Sequence, residues 1–138
     1  MEVKVYESDY LSLLVNEQAQ LLKVIWSHAT ELMQDEVFRK ELTNYAEIAE
    51  KYQPTKSFVD TQYFFMAVAP ETQEWINQNI HERSLHAGIK KFAYLVSTDL
   101  FSQVSIEQTM EEGNAKYIFE TRYFDNEETA IEWLSLTP

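Results

Sequence analysis

The chain contains no cysteine. Disulfide stapling, thiolate catalysis and cysteine-ligated zinc are excluded by that absence alone. Glycine is almost as scarce, with Gly88 and Gly113 the only two. A P-loop and a dinucleotide fingerprint each need several glycines so that backbone N–H groups can approach a phosphate, and both are excluded. No Gly-x-Ser-x-Gly elbow occurs. The three histidines, His28, His81 and His86, form no His-Glu-x-x-His motif. His81 and His86 are five residues apart and point to different faces of a helix, so all three read as surface or helix-end residues rather than ligands.

Basic residues are also in short supply: 11 Lys and Arg stand against 23 Asp and Glu, for a net charge of −12. A phosphate backbone needs a basic surface, so nucleic acid is not an expected partner, and anionic membranes are disfavoured for the same reason. A basic protein partner suits this charge, as does plain solubility. No run of about 18 apolar residues exists, so no membrane span is expected. Residues 1–9 are acidic and lack the apolar segment of a secretory signal. The expectation is a cytoplasmic protein without a cofactor, folded as a single domain over residues 1–138. That length buries enough surface to need no staple.

What the chain does have is apolar periodicity. Residues 3–6 read as a short edge strand, and residues 11–16 and 20–26 as two strands joined tightly through 17–19, hence antiparallel. Thr30 is placed to cap a helix reaching Tyr52, whose stripe is Val37, Phe38, Leu42, Tyr45, Ala49 and Tyr52. Residues 57–61 form a strand, and Pro70 opens a helix that Gly88 closes, with Ile76 and Ile80 inward. Residues 92–97 are apolar on both faces, the mark of a central parallel strand. Asp99 is placed to cap a helix with Phe101, Val104, Gln108 and Met110 inward, ended by Gly113. Both glycines fall where a left-handed residue is needed and are expected at positive φ. Residues 117–124 form the last strand. Asp125 then opens a capping box for a helix burying Ala130, Ile131, Trp133 and Leu134. Trp26, Trp75 and Trp133 read as packing residues. The fold class is α/β: an N-terminal β-hairpin, then a right-handed strand–helix superhelix, with a mostly parallel sheet and about four helices.

Residues 62–69 are unusually apolar for a strand-to-helix connection, with Tyr63, Phe64, Phe65, Met66 and Val68. They follow Asp60 and Thr61 at the carboxyl edge of a strand, where open α/β sheets bind ligands. Three destinations are open to this segment: a lid over the core, a contact with a second subunit, or the wall of an apolar ligand pocket. Asp60, Thr61, Tyr63, Phe64, Phe65 and Asp99 are the candidates for binding a ligand or partner. Asp60 and Asp99 are also the carboxylates that a small metal-dependent enzyme would use, although local turn and cap roles, for which Asp is favoured at such places, account for them more simply. Alternation of Tyr117, Phe119, Thr121 and Tyr123 with Ile118, Glu120, Arg122 and Phe124 leaves one apolar sheet face to be covered, for which a homodimer is the expected solution.

The order of elements, with Phe58-Val59-Asp60-Thr61 ending the middle strand and the closing residues 123–134, resembles the STAS-like, or anti-sigma-factor-antagonist-like, superfamily and in particular its small bacterial single-domain members. The resemblance implies a strand–helix superhelix and a binding role without enzymatic activity. In signalling members, a Ser following an Asp at the end of the middle strand accepts a phosphate from a partner kinase. Asp60-Thr61 matches that pair, with Thr61 as the implied acceptor, whereas Gln62-Tyr63 departs from the Ser-Gly that follows it and the next helix starts late, at Pro70. The wider fold group includes CRAL-TRIO domains, which bind apolar, lipid-like ligands. The expected function is therefore a non-enzymatic protein- or ligand-binding module. A phosphorylation-regulated partner switch at Thr61 and a small apolar-ligand binder are the alternatives.

Overall fold

The computed structural model describes residues 1–111 and 115–136, apart from the side chains of Lys116 and Tyr117. Six strands form one sheet whose spatial order is the chain order: β1 (Glu2–Glu7), β2 (Leu11–Asn16), β3 (Leu21–Trp26), β4 (Lys56–Asp60), β5 (Lys91–Leu95) and β6 (Glu120–Phe124). β1, β2 and β3 are antiparallel neighbours, while β3 to β6 run parallel. The β2–β3 turn has no Asn-Gly. Instead Gln20 takes a left-handed φ of 55° and Asn16 Oδ1 accepts the Ala19 N–H at 3.1 Å.

In a sheet of sequential order, right-handed crossovers return every connecting helix to one face. That face carries α1 (Asp35–Tyr52), a continuous helical run from α2 (Pro70–Trp75) through a π-helical turn (Ile76–His81) to α3 (Glu82–Ala87), and α4 (Leu100–Glu111) with the short α5 (Ala115–Ile118). The main core lies between them and Leu13, Val24, Val59 and Phe92 of the sheet. The last helix, α6 (Glu127–Ser135), packs on the opposite face. Its Ala130, Trp133 and Leu134 meet Leu21, Phe58, Ala93 and Leu95. A helix of the same chain thus covers much of the face for which a second copy was expected. The buried Lys91 fits there because its Nζ donates to the Leu136 carbonyl at 3.1 Å and lies over the Trp133 ring.

The amphipathic stripe of α1 is as expected, but Thr30 does not cap it. Thr30 sits in a 3₁₀ turn (His28–Leu32) capped by Ser27, and α1 starts after Gln34, with Asp35 and Glu36 in its first turn favoured by the helix dipole. Glu41 is buried on this helix, where Tyr6 and Ser8 hydroxyls and the Asn44 amide donate to its carboxylate and tie the first strand to α1.

The helix at 99–111 is rotated relative to the reading from apolar positions. Phe101 and Val104 are exposed, as is Gln108, whereas Ser102, Ser105, Ile106, Thr109 and Met110 are buried. The small hydroxyl residues can be buried because each finds a local acceptor: Ser105 donates to the Ser102 carbonyl at 2.9 Å and Thr109 to the Ser105 carbonyl at 2.8 Å. Ser105 Oγ also accepts the Val68 N–H at 3.0 Å, which docks the 62–69 segment on this face.

Two further expectations are corrected at the C-terminal end. Residues 115–118 are helical, and the strand begins only at Glu120. Asn126 rather than Asp125 caps α6, its Oδ1 accepting the Thr129 N–H at 2.9 Å. Gly113 lies outside the described residues. Gly88 has φ 110°, as expected, and closes α3 through its N–H to the Leu85 carbonyl at 3.1 Å. A Cβ at Gly88 would meet only the Pro54 carbonyl oxygen, at 3.7 Å, so the penalty for Gly88→Ala is conformational rather than steric. Urea denaturation is expected to show a loss of about 1 kcal/mol for this variant.

Candidate functional site

The carboxyl ends of β3, β4 and β5 bring three segments to one edge: the 3₁₀ turn at His28–Leu32, residues 61–69, and residues 96–101 around the start of α4. Thr30 is their junction. Its buried hydroxyl, whose single proton is shared between the Ser27 carbonyl at 2.8 Å and the Tyr63 carbonyl at 3.1 Å, accepts the Phe65 N–H at 2.9 Å. Ser97 Oγ donates to the Phe64 carbonyl at 2.9 Å and joins the third segment to the second. The long connection is therefore held by hydrogen bonds at both flanks, and its aromatic residues have fixed and different destinations.

Phe64 is 2% exposed and turns into the core, with ring centroids 5.4 Å from Trp26 and 5.6 Å from Phe38. Tyr63 and Phe65 turn outward. Tyr63 stacks on His28 at 4.1 Å, and Phe65 lies 5.5 Å from the same imidazole. Thr61 is buried, and its hydroxyl donates to the Leu95 carbonyl at 2.5 Å. A phosphate could reach that oxygen only if the end of β4 moved, so the geometry does not favour Thr61 as an acceptor.

Asp60 and Asp99 are not brought together to act on one group. Asp60 is half-buried, and its Oδ1 accepts the Gln62 N–H at 3.0 Å. Burial raises its pKa, partly offset by that hydrogen bond and reinforced by the Glu127 charge. Asp99 caps α4 by accepting from the Ser102 hydroxyl and N–H, and the hydroxyl bond is the main reason its pKa is lowered. Among the described residues no group of three or more His, Asp or Glu is arranged to hold a metal ion.

Phe65 and Asp99 do share a site. With Glu31 and Thr98 they line an open cleft at this edge. Leu32 follows Glu31 on one side and is 84% exposed, while Leu100 and Phe101 follow Asp99 on the other and are 71% and 73% exposed. Val104, one turn further along α4, is exposed as well. Reading the sequence for apolar periodicity missed these residues, because it assigned Phe101 and Val104 to the core. A charge signal was available. No Lys or Arg occurs in residues 24–38, 57–82 or 92–115, the three segments that build this side, although Glu31, Asp35, Asp60, Glu71 and Asp99 lie there. Arg39, just beyond the first segment, is bound to Asp35 at 2.8 Å and lies over the Trp75 ring. Lys56, Lys90 and Lys91 stand at the opposite edge, where β4 and β5 begin.

The fold and this edge define an α/β protein with a hairpin-led, mostly parallel sheet and, at the strand ends, an acidic cleft flanked by exposed apolar residues. Compared with protein-family models, with curated proteins and with solved structures, the chain finds no match. No helix among the described residues is long and apolar enough to cross a membrane.

Proposed function

We propose that this chain is a non-enzymatic protein-binding module of STAS-like fold, and that the cleft at the strand ends takes a cationic, amphipathic segment of a partner protein. The observation that carries this reading is the exposure of Leu32, Leu100 and Phe101 directly beside Glu31 and Asp99. Large exposed side chains clustered at one edge mark an interaction surface. The acids beside them, with no base in the same segments, select the sign of the partner. A second copy of this chain is a poor occupant, because each copy carries −12 and would bring its own acids to the contact. The STAS-like assignment is supported by the sequential strand order, the leading hairpin and the run of strand–helix units. The binding role is supported by the local use of Asp60 and Asp99 in turn and cap hydrogen bonds.

A designed Leu/Lys amphipathic helix and its Leu/Glu counterpart, each titrated into isotopically labelled protein, test the reading. The Leu/Lys peptide is expected to shift resonances of residues 28–32, 63–65 and 97–104, with binding that weakens as salt rises. Replacing Leu100 and Phe101 by Ser together is expected to lower the affinity on the order of tenfold or more without changing the melting temperature. Undiminished binding by that double variant, shifts spread over the whole acidic surface, or no binding at millimolar peptide would each count against the cleft.

A further inference from the structure

Between the sheet and the helices lies a cavity of about 90 Å³. Protein interiors are close-packed, and a void much larger than a water molecule is uncommon. The walls are mainly apolar, with Val24 and Val59 from the sheet, Ile76 and Ile80 from the π-helical turn and Ile106 from α4. Phe64 and Val68 of the 62–69 segment line it too, and all seven of these residues are buried.

The polar groups on its wall are few, and their hydrogens can be assigned. Thr61 donates to the Leu95 carbonyl, Thr109 to the Ser105 carbonyl and Tyr94 to Met110 Sδ. The Tyr45 and Ser84 hydroxyls, 2.8 Å apart, share one hydrogen bond, which leaves the other O–H of the pair available. Asn77 Nδ2 faces the Gln73 and Thr109 carbonyls, so its Oδ1 is the atom facing His81 Nδ1 at 3.0 Å. An amide oxygen can only accept. Nδ1 therefore carries the proton, and the neutral imidazole keeps Nε2 as an acceptor. The wall thus offers one hydroxyl donor and one imidazole acceptor in an apolar surround.

His81 reaches this wall through the π-helical turn, whose extra residue lets Ile76, Ile80 and His81 all be buried against the cavity. Such turns are rare inside helices and recur at functional sites.

We infer that this cavity is a binding site for a small neutral organic molecule, largely apolar and carrying one hydroxyl group. Its size admits fewer non-hydrogen atoms than the six of benzene, which a dry cavity of about 150 Å³ holds. The ligand hydroxyl would donate to His81 Nε2 and accept from the Tyr45–Ser84 pair. A carboxylate or an ammonium group is rejected, because the wall presents no charge to pair with it and burial of an unpaired charge is prohibitive. The same desolvation raises the Tyr45 pKa and depresses that of His81.

Titration of the full chain with isobutanol, followed by methyl and amide resonances, is the test, with isobutyrate as the charged control. The expected result is saturable shifts at Val59, Ile76, Ile80 and Ile106 with isobutanol and none with isobutyrate. Two variants fix the location. Val59→Phe, which fills the void, is expected to abolish the saturable shifts, and Ser84→Ala, which removes half of the hydroxyl pair at almost constant volume, is expected to weaken them several-fold. A saturable response that survives in both variants, equal binding of isobutyrate, or no saturable response from the wild type up to the solubility of isobutanol would overturn the inference. If Val59→Phe does not fold, Ser84→Ala and the isobutyrate control still decide it.

Discussion

Phe64→Glu is expected to leave the chain without a cooperative unfolding transition, whereas Phe65→Glu is expected to fold. The two residues are adjacent in an apolar segment, and only the structure separates them. Phe64 is almost fully buried between Trp26 and Phe38, which come from β3 and α1. Truncating a buried Phe costs about 3–5 kcal/mol through lost transfer energy and the void left behind. A carboxylate at that place adds an unpaired charge in an apolar surround, a further penalty of several kcal/mol. Domains of this size are stable by about 5–15 kcal/mol, so the combined loss consumes the margin. Phe65 faces the cleft and touches His28 and Tyr63 at the surface, where a carboxylate stays hydrated. Its replacement is expected to cost about 1 kcal/mol, the scale of an aromatic contact. Circular dichroism against urea reads both, with Phe64→Ala as the milder form that still gives a midpoint. A Phe64→Glu protein that melts like the wild type would show that the segment is not the inner wall described above.

That contrast marks where sequence reasoning reaches and where it stops. The strands at Leu11–Asn16 and Lys56–Asp60, the start of a helix at Pro70 and the positive φ of Gly88 were legible because each follows from local alternation or from a residue with restricted or unusual backbone freedom. The importance of residues 62–69 was legible too, since so many aromatics in a connection need cover. Which of them go inward was not, because a loop has no period to set phase. Its phase comes from tertiary hydrogen bonds such as Phe65 N–H to Thr30 and Ser97 to the Phe64 carbonyl. The rotation of α4 was missed for a related reason. Hydropathy ranks Phe101 and Val104 above Ser102 and Ser105, but the hydroxyls bond to their own helix and pack closely, while the larger residues remain outside. Half of the candidate site followed this error. Asp99 and Phe65 were placed at the right edge, and their exposed neighbours Leu100 and Phe101 were assigned elsewhere or passed over. The destination of α6 on the far face was likewise invisible, since nothing local says to which side of a sheet the chain returns after its last strand.

His81 read as a surface or helix-end histidine and is instead 6% exposed, and it governs the last expected result: its neutral form is what stabilises the fold. Burial alone depresses its pKa from the ordinary 6.5 to about 4. Between those two values the unfolded chain binds a proton there that the folded chain does not, so unfolding is favoured as the pH falls. The stabilising contribution is complete above pH 6.5 and lost progressively as the pH drops toward 4, amounting to about 3 kcal/mol over the window. The lowered carboxyl groups of Glu50 and Asp99 lose their own contributions over the more acidic range, so the wild-type curve alone does not isolate the histidine. The difference between wild type and His81→Gln does. Gln keeps a donor for Asn77 Oδ1 and has no proton to gain, so the gap in stability between the two proteins is expected to shrink as the pH falls from 7 to 4.5 and to close or change sign at the acid end. Urea midpoints at half-unit pH intervals measure this directly. A gap that stays constant from pH 7 to 4.5 would mean that the folded protein accommodates the imidazolium, and that the wall beside Ile80 is wetter than the structure describes.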